Sequence, residues 1–137
     1  MTESGVSILV IEDDAVALRL FQEILAALGY DVRVAADAES GLREIARAVP
    51  AAVLLDLRLP LADGLELLRD LRTGTCADLP VAIMTGDYFV DDRVIGDIEA
   101  LGARVHFKPL FEDDLRKVVS GLLRHAHDPD QDQHGPM

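Results

Sequence analysis

Short apolar runs alternate along this chain with longer segments of helical spacing. The runs are rich in β-branched and aliphatic residues, which predicts strands. They lie at Val6–Ile11, Asp31–Ala35, Ala51–Leu55, Val81–Met84 and Arg104–Phe107. In the intervening segments apolar residues recur every three or four positions, which predicts amphipathic helices. The second helix, for example, is predicted to bury Leu42, Ile45, Ala46 and Val49. The pattern indicates five βα units.

The arrangement of these units predicts an α/β fold. Val6–Ile11 and Ala51–Leu55 are apolar almost throughout, as is typical of a parallel sheet covered by helices on both faces. Strict βα alternation implies right-handed crossovers, so a doubly wound (βα)5 domain with a five-stranded parallel sheet is expected. Candidate helix caps are Asp37, Asp63 and Asp91, and candidate helix-ending glycines are Gly29 and Gly102.

The length of 137 residues fits one domain. The apolar period stops after Arg124, and the remaining residues are polar and contain two prolines. We therefore predict one folded domain at residues 1–125 and a disordered C-terminal tail at residues 126–137.

Charge and cysteine content narrow the class of protein. Thirteen Lys and Arg stand against 25 Asp and Glu, a formal charge of −12, which disfavours binding to nucleic acid or to anionic membrane surfaces. A single cysteine, Cys76, excludes an intrachain disulfide and a multi-cysteine zinc site and suits a reducing compartment. The first residues lack a basic region, and no apolar run is long enough to span a membrane. A cytoplasmic protein is expected.

Ionisable or hydroxyl groups follow four of the five predicted strands. Ligands of open α/β sheets bind outside the carboxyl ends of the strands, which makes these positions candidates for chemistry. Clustered carboxylates require a neutralising hard cation, for which Mg²⁺ is the expected ion, and a carboxylate beside Mg²⁺ can act as a phosphoryl nucleophile. An ammonium and a hydroxyl group would stabilise the transferring phosphoryl group. The residues concerned are Glu12, Asp13, Asp56, Thr85 and Lys108.

The order of these motifs resembles the receiver domain of bacterial two-component response regulators. Each motif alone has an ordinary explanation as a turn, a cap or a surface charge, but four in order, each at a strand end, form a specific pattern. The resemblance covers roughly residues 6–124 and implies a flavodoxin-like sheet with strand order 2-1-3-4-5. The matching stretches are Ile8–Asp14, Val53–Pro60 with Asp63 and Gly64, Ile83–Gly86, and Phe107–Pro109.

The resemblance assigns roles to the acidic residues. It implies that Asp56 is the phosphoacceptor and that Asp13 and Glu12 hold Mg²⁺, Asp13 directly and Glu12 through water. It also implies that the backbone carbonyl of Arg58 coordinates the metal. Arg58 and Asp87 either pair across the phosphoryl pocket and tune the lifetime of the acyl phosphate or form an ordinary solvated pair.

The same resemblance identifies Thr85 as the switch hydroxyl and Lys108 as its partner at the phosphoryl group, with a cis bond between Lys108 and Pro109. The fifth strand departs from the family pattern. Family members carry an aromatic switch residue three positions before the lysine, where this chain has Val105. Either His106 takes over this role or the coupling is altered. Nearby, Tyr88 and Phe89 are either partner contacts or ordinary packing.

The predicted function is that of a stand-alone receiver, which accepts a phosphoryl group on Asp56 from a sensor histidine kinase or a histidine phosphotransfer protein. Apart from self-catalysed phosphorylation and dephosphorylation, no enzymatic activity is expected. Output would pass through the face of the fourth helix, fifth strand and fifth helix to a protein partner, or by onward phosphotransfer, and homodimerisation is left open.

Two alternatives to the phosphorylated receiver are considered. One is a phosphohydrolase of haloacid-dehalogenase type, which also uses an aspartyl nucleophile but needs a second Asp two residues later as general acid; this position is Arg58. The other is a receiver that binds partners independently of phosphorylation.

Overall fold

In a computed structural model, residues 5–60 and 62–127 are described, and they form a parallel sheet of order β2-β1-β3-β4-β5 with five helices. The predicted α/β doubly wound fold and strand order are confirmed. The strands are β1 Ser7–Ile11, β2 Asp31–Ala35, β3 Ala52–Asp56, β4 Val81–Thr85 and β5 Arg104–Phe107. The helices are α1 Ala15–Ala27, α2 Ala38–Arg47, α3 Gly64–Thr73, α4 Asp92–Ala100 and α5 Glu112–His127.

Side chains of the central strands are buried on both faces of the sheet. Because successive strand residues point to opposite faces, they divide between two cores. Leu9, Val53 and Ile83 pack with α2, α3 and α4. Their neighbours in the chain, such as Val10 and Leu54, pack with α1 and α5. The fully apolar strands identified in the sequence are therefore explained by burial on both sides.

The helix ends follow the predicted local chemistry. Asp37, Asp63 and Asp91 each accept a hydrogen bond from a backbone N–H in the first turn of the following helix, which satisfies a donor that the helix itself cannot pair. Gly29 and Gly102 have φ angles of 102° and 80°, a region that favours glycine at helix C-termini. These five expectations are confirmed.

The predicted apolar stripe of α2 is partly wrong. Three of the four predicted positions are exposed: Leu42 at 38%, Val49 at 61%, and Ala46 as well. Val49 also lies beyond the end of the helix. The buried positions are Gly41 and Ile45. A Cβ at Gly41 would lie 2.5 Å from Cδ1 of Ile11, so at this glycine the helix lies too close to the sheet for a larger side chain. Its buried face is centred there and is rotated away from Leu42.

The last helix ends at His127, two residues beyond the predicted domain boundary at 125. From residue 128 onward, the segment assigned to a tail lies outside the described residues. Within the described part of the chain, no helix combines the length and the apolar character that crossing a membrane requires.

Candidate functional site

Three acidic residues meet at the carboxyl edge of the sheet. Glu12 directly follows β1 and Asp56 ends β3, and their side chains are nearly inaccessible, with 1% and 5% residue exposure. Asp13 is exposed beside them. One carboxylate oxygen from each of the three lies within 4.8 Å of the other two. This all-oxygen donor set could hold a metal ion and suits a hard divalent cation such as Mg²⁺.

Lys108, just beyond β5, supplies the positive charge of the cluster. Its Nζ lies 2.5 Å from Oε1 of Glu12 and 3.4 Å from Oδ2 of Asp56. Burial and the neighbouring Asp56 carboxyl raise the pKa of Glu12, against the effect of Lys108. Burial alone would lower the pKa of Lys108, but the hydrogen bond to Glu12 and the charge of Asp56 raise it. The ammonium group is therefore charged at neutral pH and offsets two buried acids.

The backbone of Lys108 is held on both sides. Its N–H donates to the carbonyl of Thr85, over 2.8 Å, and its own carbonyl accepts from the hydroxyl of Tyr88. The following peptide bond, to Pro109, is cis, as the resemblance implies. The end of β4 and the loop after it thereby fix the point from which the ammonium reaches Glu12.

Thr85 ends β4 and is fully buried. Its hydroxyl oxygen accepts the backbone N–H of Asp87 at 3.1 Å. A hydroxyl group can accept and donate at the same time, so its own proton is available for a further bond. Thr85 lies with Glu12 and Asp56 at the carboxyl edge of the sheet, and these three are the buried polar or charged residues of the described chain.

Arg58 and Asp87 do pair across the loops that follow β3 and β4. The guanidinium Nη2 lies 2.8 Å from Oδ2 of Asp87, with side chains 59% and 35% exposed. The hydrogen bond from Arg58 holds the pKa of Asp87 below its usual value. At its other end, the backbone N–H of Arg58 donates to Oδ1 of Asp56 at 3.1 Å. Arg58 therefore links the central carboxylate to the loop that follows Thr85.

The two residues considered for the switch role lie on opposite faces of β5. Val105 packs against the core beneath α4. His106, the next residue, lines a groove with Leu110 and Val118 on the α5 side, where burial and the charge of Arg104 lower its pKa. Neither position carries a phenylalanine, tyrosine or tryptophan.

An aromatic contact forms instead at Phe107, the residue directly before the lysine. Phe107 stacks on Tyr88 with ring centroids 5.5 Å apart and an interplanar angle of 22°. This pair was not predicted from the sequence, although the strand period places Phe107 on the same face as Val105. Phe89, next to Tyr88, is 94% exposed, so ordinary packing does not account for it.

A parallel doubly wound sheet whose strand ends bring together three carboxylates, a buried hydroxyl and a lysine defines a class of α/β domains with a polar site at the carboxyl edge of the sheet. Within that class, the model of the response regulator receiver domain matches residues 8–120. The chain belongs to this family.

Known proteins agree with this assignment. The chain is 36% identical over 126 residues to the response regulator MprA of Mycobacterium tuberculosis H37Rv, covering 92% of this chain and 54% of that protein. It is 37% identical over 119 residues to MprA of Mycolicibacterium vanbaalenii, with 87% and 51% covered. The chain thus spans about half the length of the curated relatives it matches.

Among solved structures, the fold is similar to a CheY-like response regulator receiver domain protein of Methanospirillum hungatei. The TM-score is 0.84 at 27% sequence identity, and the match covers 92% of this chain and 99% of that one. The strand order and the five flanking helices described above are therefore those of the receiver fold.

Proposed function

We propose that Asp56 accepts a phosphoryl group from a phosphohistidine, carried by a sensor histidine kinase or a histidine phosphotransfer protein. The observation that carries the proposal is the buried Asp56 carboxylate with Nζ of Lys108 3.4 Å away and with Glu12 and Asp13 beside it. Membership of the receiver family supports the class of phosphodonor.

In the proposed reaction a carboxylate oxygen of Asp56 attacks phosphorus and forms the O–P bond of an acyl phosphate. The N–P bond of the phosphohistidine breaks, and its electron pair returns to the imidazole, which takes up a proton. Glu12, Asp13 and Asp56 would hold Mg²⁺, together with the backbone carbonyl of Arg58. The cation would neutralise charge on the phosphoryl oxygens. Without it, charge repulsion among the acids would oppose the step.

Lys108 and Thr85 act on the transferred group. Lys108 already lies between Glu12 and Asp56, so a short movement of its ammonium group brings it to a phosphoryl oxygen on Asp56. Thr85 donates the proton that its hydroxyl does not use in accepting from Asp87. Both residues stabilise charge and neither exchanges a proton. The domain therefore acts as a phosphoacceptor that catalyses only its own phosphorylation and dephosphorylation.

The signal passes from the loop after Thr85 to the surface formed by α4, β5 and α5. A groove of about 420 Å³ between β5 and α5 lies on this surface, and a partner protein or a second copy of the chain is the expected binder. The formal charge of −12 makes nucleic acid an unfavourable partner. We place the protein in the cytoplasm, together with the kinase or phosphotransfer protein that supplies the phosphoryl group.

The phosphohydrolase alternative is disfavoured by Arg58. An arginine stays protonated in proteins and cannot serve as the general acid required at this position. In addition, its guanidinium is bound to Asp87 at the protein surface.

Intact mass after incubation with phosphoramidate and Mg²⁺ tests the proposal. We expect a labile gain of one phosphoryl group that disappears in Asp56→Asn and when Mg²⁺ is withheld. Asp70→Asn is a matched control, because Asp70 is an exposed residue of α3, and it should load like the wild type. An adduct that persists in Asp56→Asn refutes the assignment. Absence of an adduct with both phosphoramidate and a phosphorylated histidine phosphotransfer protein would favour a receiver that works without phosphorylation.

A further inference from the structure

Tyr88 contacts two consecutive residues at the end of β5. Its ring stacks on Phe107, and its hydroxyl donates to the carbonyl of the next residue, Lys108. Tyr88 is nevertheless 62% exposed, so it does not act as a core residue. A half-exposed tyrosine fixed by both its ring and its hydroxyl is suited to position a neighbouring chain segment.

The loop that carries Tyr88 is joined to the buried hydroxyl of Thr85. Asp87 donates its backbone N–H to the hydroxyl of Thr85, and Tyr88 is the next residue. Thr85 also accepts the N–H of Lys108 at its carbonyl. A displacement of Thr85 would therefore move Lys108 through two sets of contacts: the hydrogen bond between the ends of β4 and β5, and the loop that carries Tyr88.

The other side chains of β5 offer no equivalent connection. Val105 is in contact with the core on the α4 side. His106 points to the α5 side, since adjacent strand residues alternate. Phe107 is the residue of this strand that stacks on Tyr88, and it is 39% exposed, so a change in its stacking alters a surface that a partner can reach.

We propose that Tyr88 is the positioning residue that holds Lys108 at the carboxylate cluster and couples Thr85 to the exposed ring of Phe107. This inference rests on the proposed function, because the event it transmits is phosphoryl binding at Asp56. It places the aromatic coupling of this receiver in the loop after β4 and at Phe107, instead of at Val105 or His106.

The tyrosine content permits a direct test. The chain has two tyrosines and no tryptophan, so in a Tyr30→Phe background all tyrosine emission comes from Tyr88. Beryllofluoride with Mg²⁺ is the probe, as a non-covalent mimic of the phosphoryl group. We expect a saturable change in emission that is absent without Mg²⁺ and in Asp56→Asn, and that is smaller in Phe107→Leu because the stacking partner is lost.

A second measurement examines the hydroxyl group. Tyr88→Phe keeps the ring and removes the bond to the Lys108 carbonyl. Loading by phosphoramidate should slow about three- to ten-fold, as expected for one hydrogen bond, while the melting temperature stays near that of the wild type. Phe89→Leu is the control, because this neighbouring side chain is 94% exposed, and it should load at the wild-type rate.

The outcomes separate the two proposals. If the wild type forms no phosphoryl adduct with any donor, the proposed function fails. If it forms the adduct but the Tyr88 emission does not respond and Tyr88→Phe loads normally, the positioning role is overturned while the function stands. Equal slowing in Tyr88→Phe and Phe89→Leu would also overturn it, since a general effect on the loop would explain both.

Discussion

Replacing Lys108 with methionine removes the one cation that contacts the buried acids among the described residues, with little change in side-chain length. Glu12 and Asp56 would then face each other at 1% and 5% exposure without a counter-charge. Removing one partner of a buried ion pair leaves the other charge uncompensated, which is far more destabilising than losing a surface pair. We expect a large loss of stability at neutral pH in the absence of Mg²⁺.

The magnitude follows from the geometry. Close unit charges interact by roughly 4 kcal/mol at an effective dielectric constant of 20, and Lys108 contacts Glu12 at 2.5 Å and Asp56 at 3.4 Å. Its side chain is 23% exposed, so solvent screens part of this energy. Proton uptake by Glu12 in the variant limits the loss of stability further. Each unit by which the pKa of Glu12 differs from the pH of the solution corresponds to about 1.4 kcal/mol. A net loss of about 2–4 kcal/mol is expected.

Urea unfolding at neutral pH, with and without Mg²⁺, measures this loss. Lys117→Met is the control, because Lys117 is an exposed residue of α5, and it should change the unfolding free energy by less than about 0.5 kcal/mol. Adding Glu12→Gln to Lys108→Met should recover stability, since one of the two facing charges is removed. The reasoning fails if the two lysine variants unfold alike or if the double variant is no more stable than Lys108→Met alone.

Three further predictions concern other parts of the structure. A Cβ at Gly64 would lie 2.6 Å from the backbone oxygen of Asp56, so Gly64→Ala should lower the free energy of unfolding, measured in urea, by about 1–3 kcal/mol. At Gly96 a Cβ would meet no atom within 4 Å apart from its chain neighbours and the backbone of its own helix, so Gly96→Ala should be neutral or stabilising. Arg58→Ala should shorten the lifetime of the phosphorylated form a few-fold, followed by intact mass; an unchanged half-life would exclude a gating role. Burial and a nearby arginine lower the pKa of His106, so the folded state disfavours its protonation and stability falls as pH drops below about 6.5. His106→Gln should reduce the difference in melting temperature between about pH 7.5 and about pH 5.5.

The succession of strands and helices along the chain and the location of the site could be predicted because both depend on local patterns, whereas the strand order within the sheet came from the resemblance to the receiver family. Apolar runs fix the strands, and in a parallel sheet all carboxyl ends lie at one edge, so residues following the strands must meet there. The clustering of Glu12, Asp13 and Asp56 is confirmed in this sense. Their chemical roles remain predictions, as do those of Lys108 and Thr85.

The details that the sequence did not reveal depend on how closely elements approach each other. The buried face of α2 is displaced because Gly41 allows the helix to contact Ile11. A prediction from the spacing of apolar side chains cannot locate this contact, since glycine has no side chain. The Tyr88–Phe107 stack joins a loop to an edge strand, 19 positions apart in the chain, and no periodic pattern connects such positions. Strand alternation alone could have shown that His106 faces away from Val105.

The charge balance of the cluster also explains why loading should require the cation. Lys108 supplies one positive charge, which it shares between Glu12 and Asp56. The acyl phosphate carries close to two negative charges in place of the single charge of the free Asp56 carboxylate, and together with Glu12 these exceed what a single ammonium can offset in a buried site. With a divalent ion held by Glu12 and Asp13, Glu12 would no longer depend on Lys108 for a counter-charge, and the ammonium would be free to turn to the modified Asp56. The backbone of Lys108 is held by Thr85 and Tyr88, so this movement of the ammonium is confined to the side chain. Any displacement of the Lys108 backbone has to move the end of β4 and the loop after Thr85 with it.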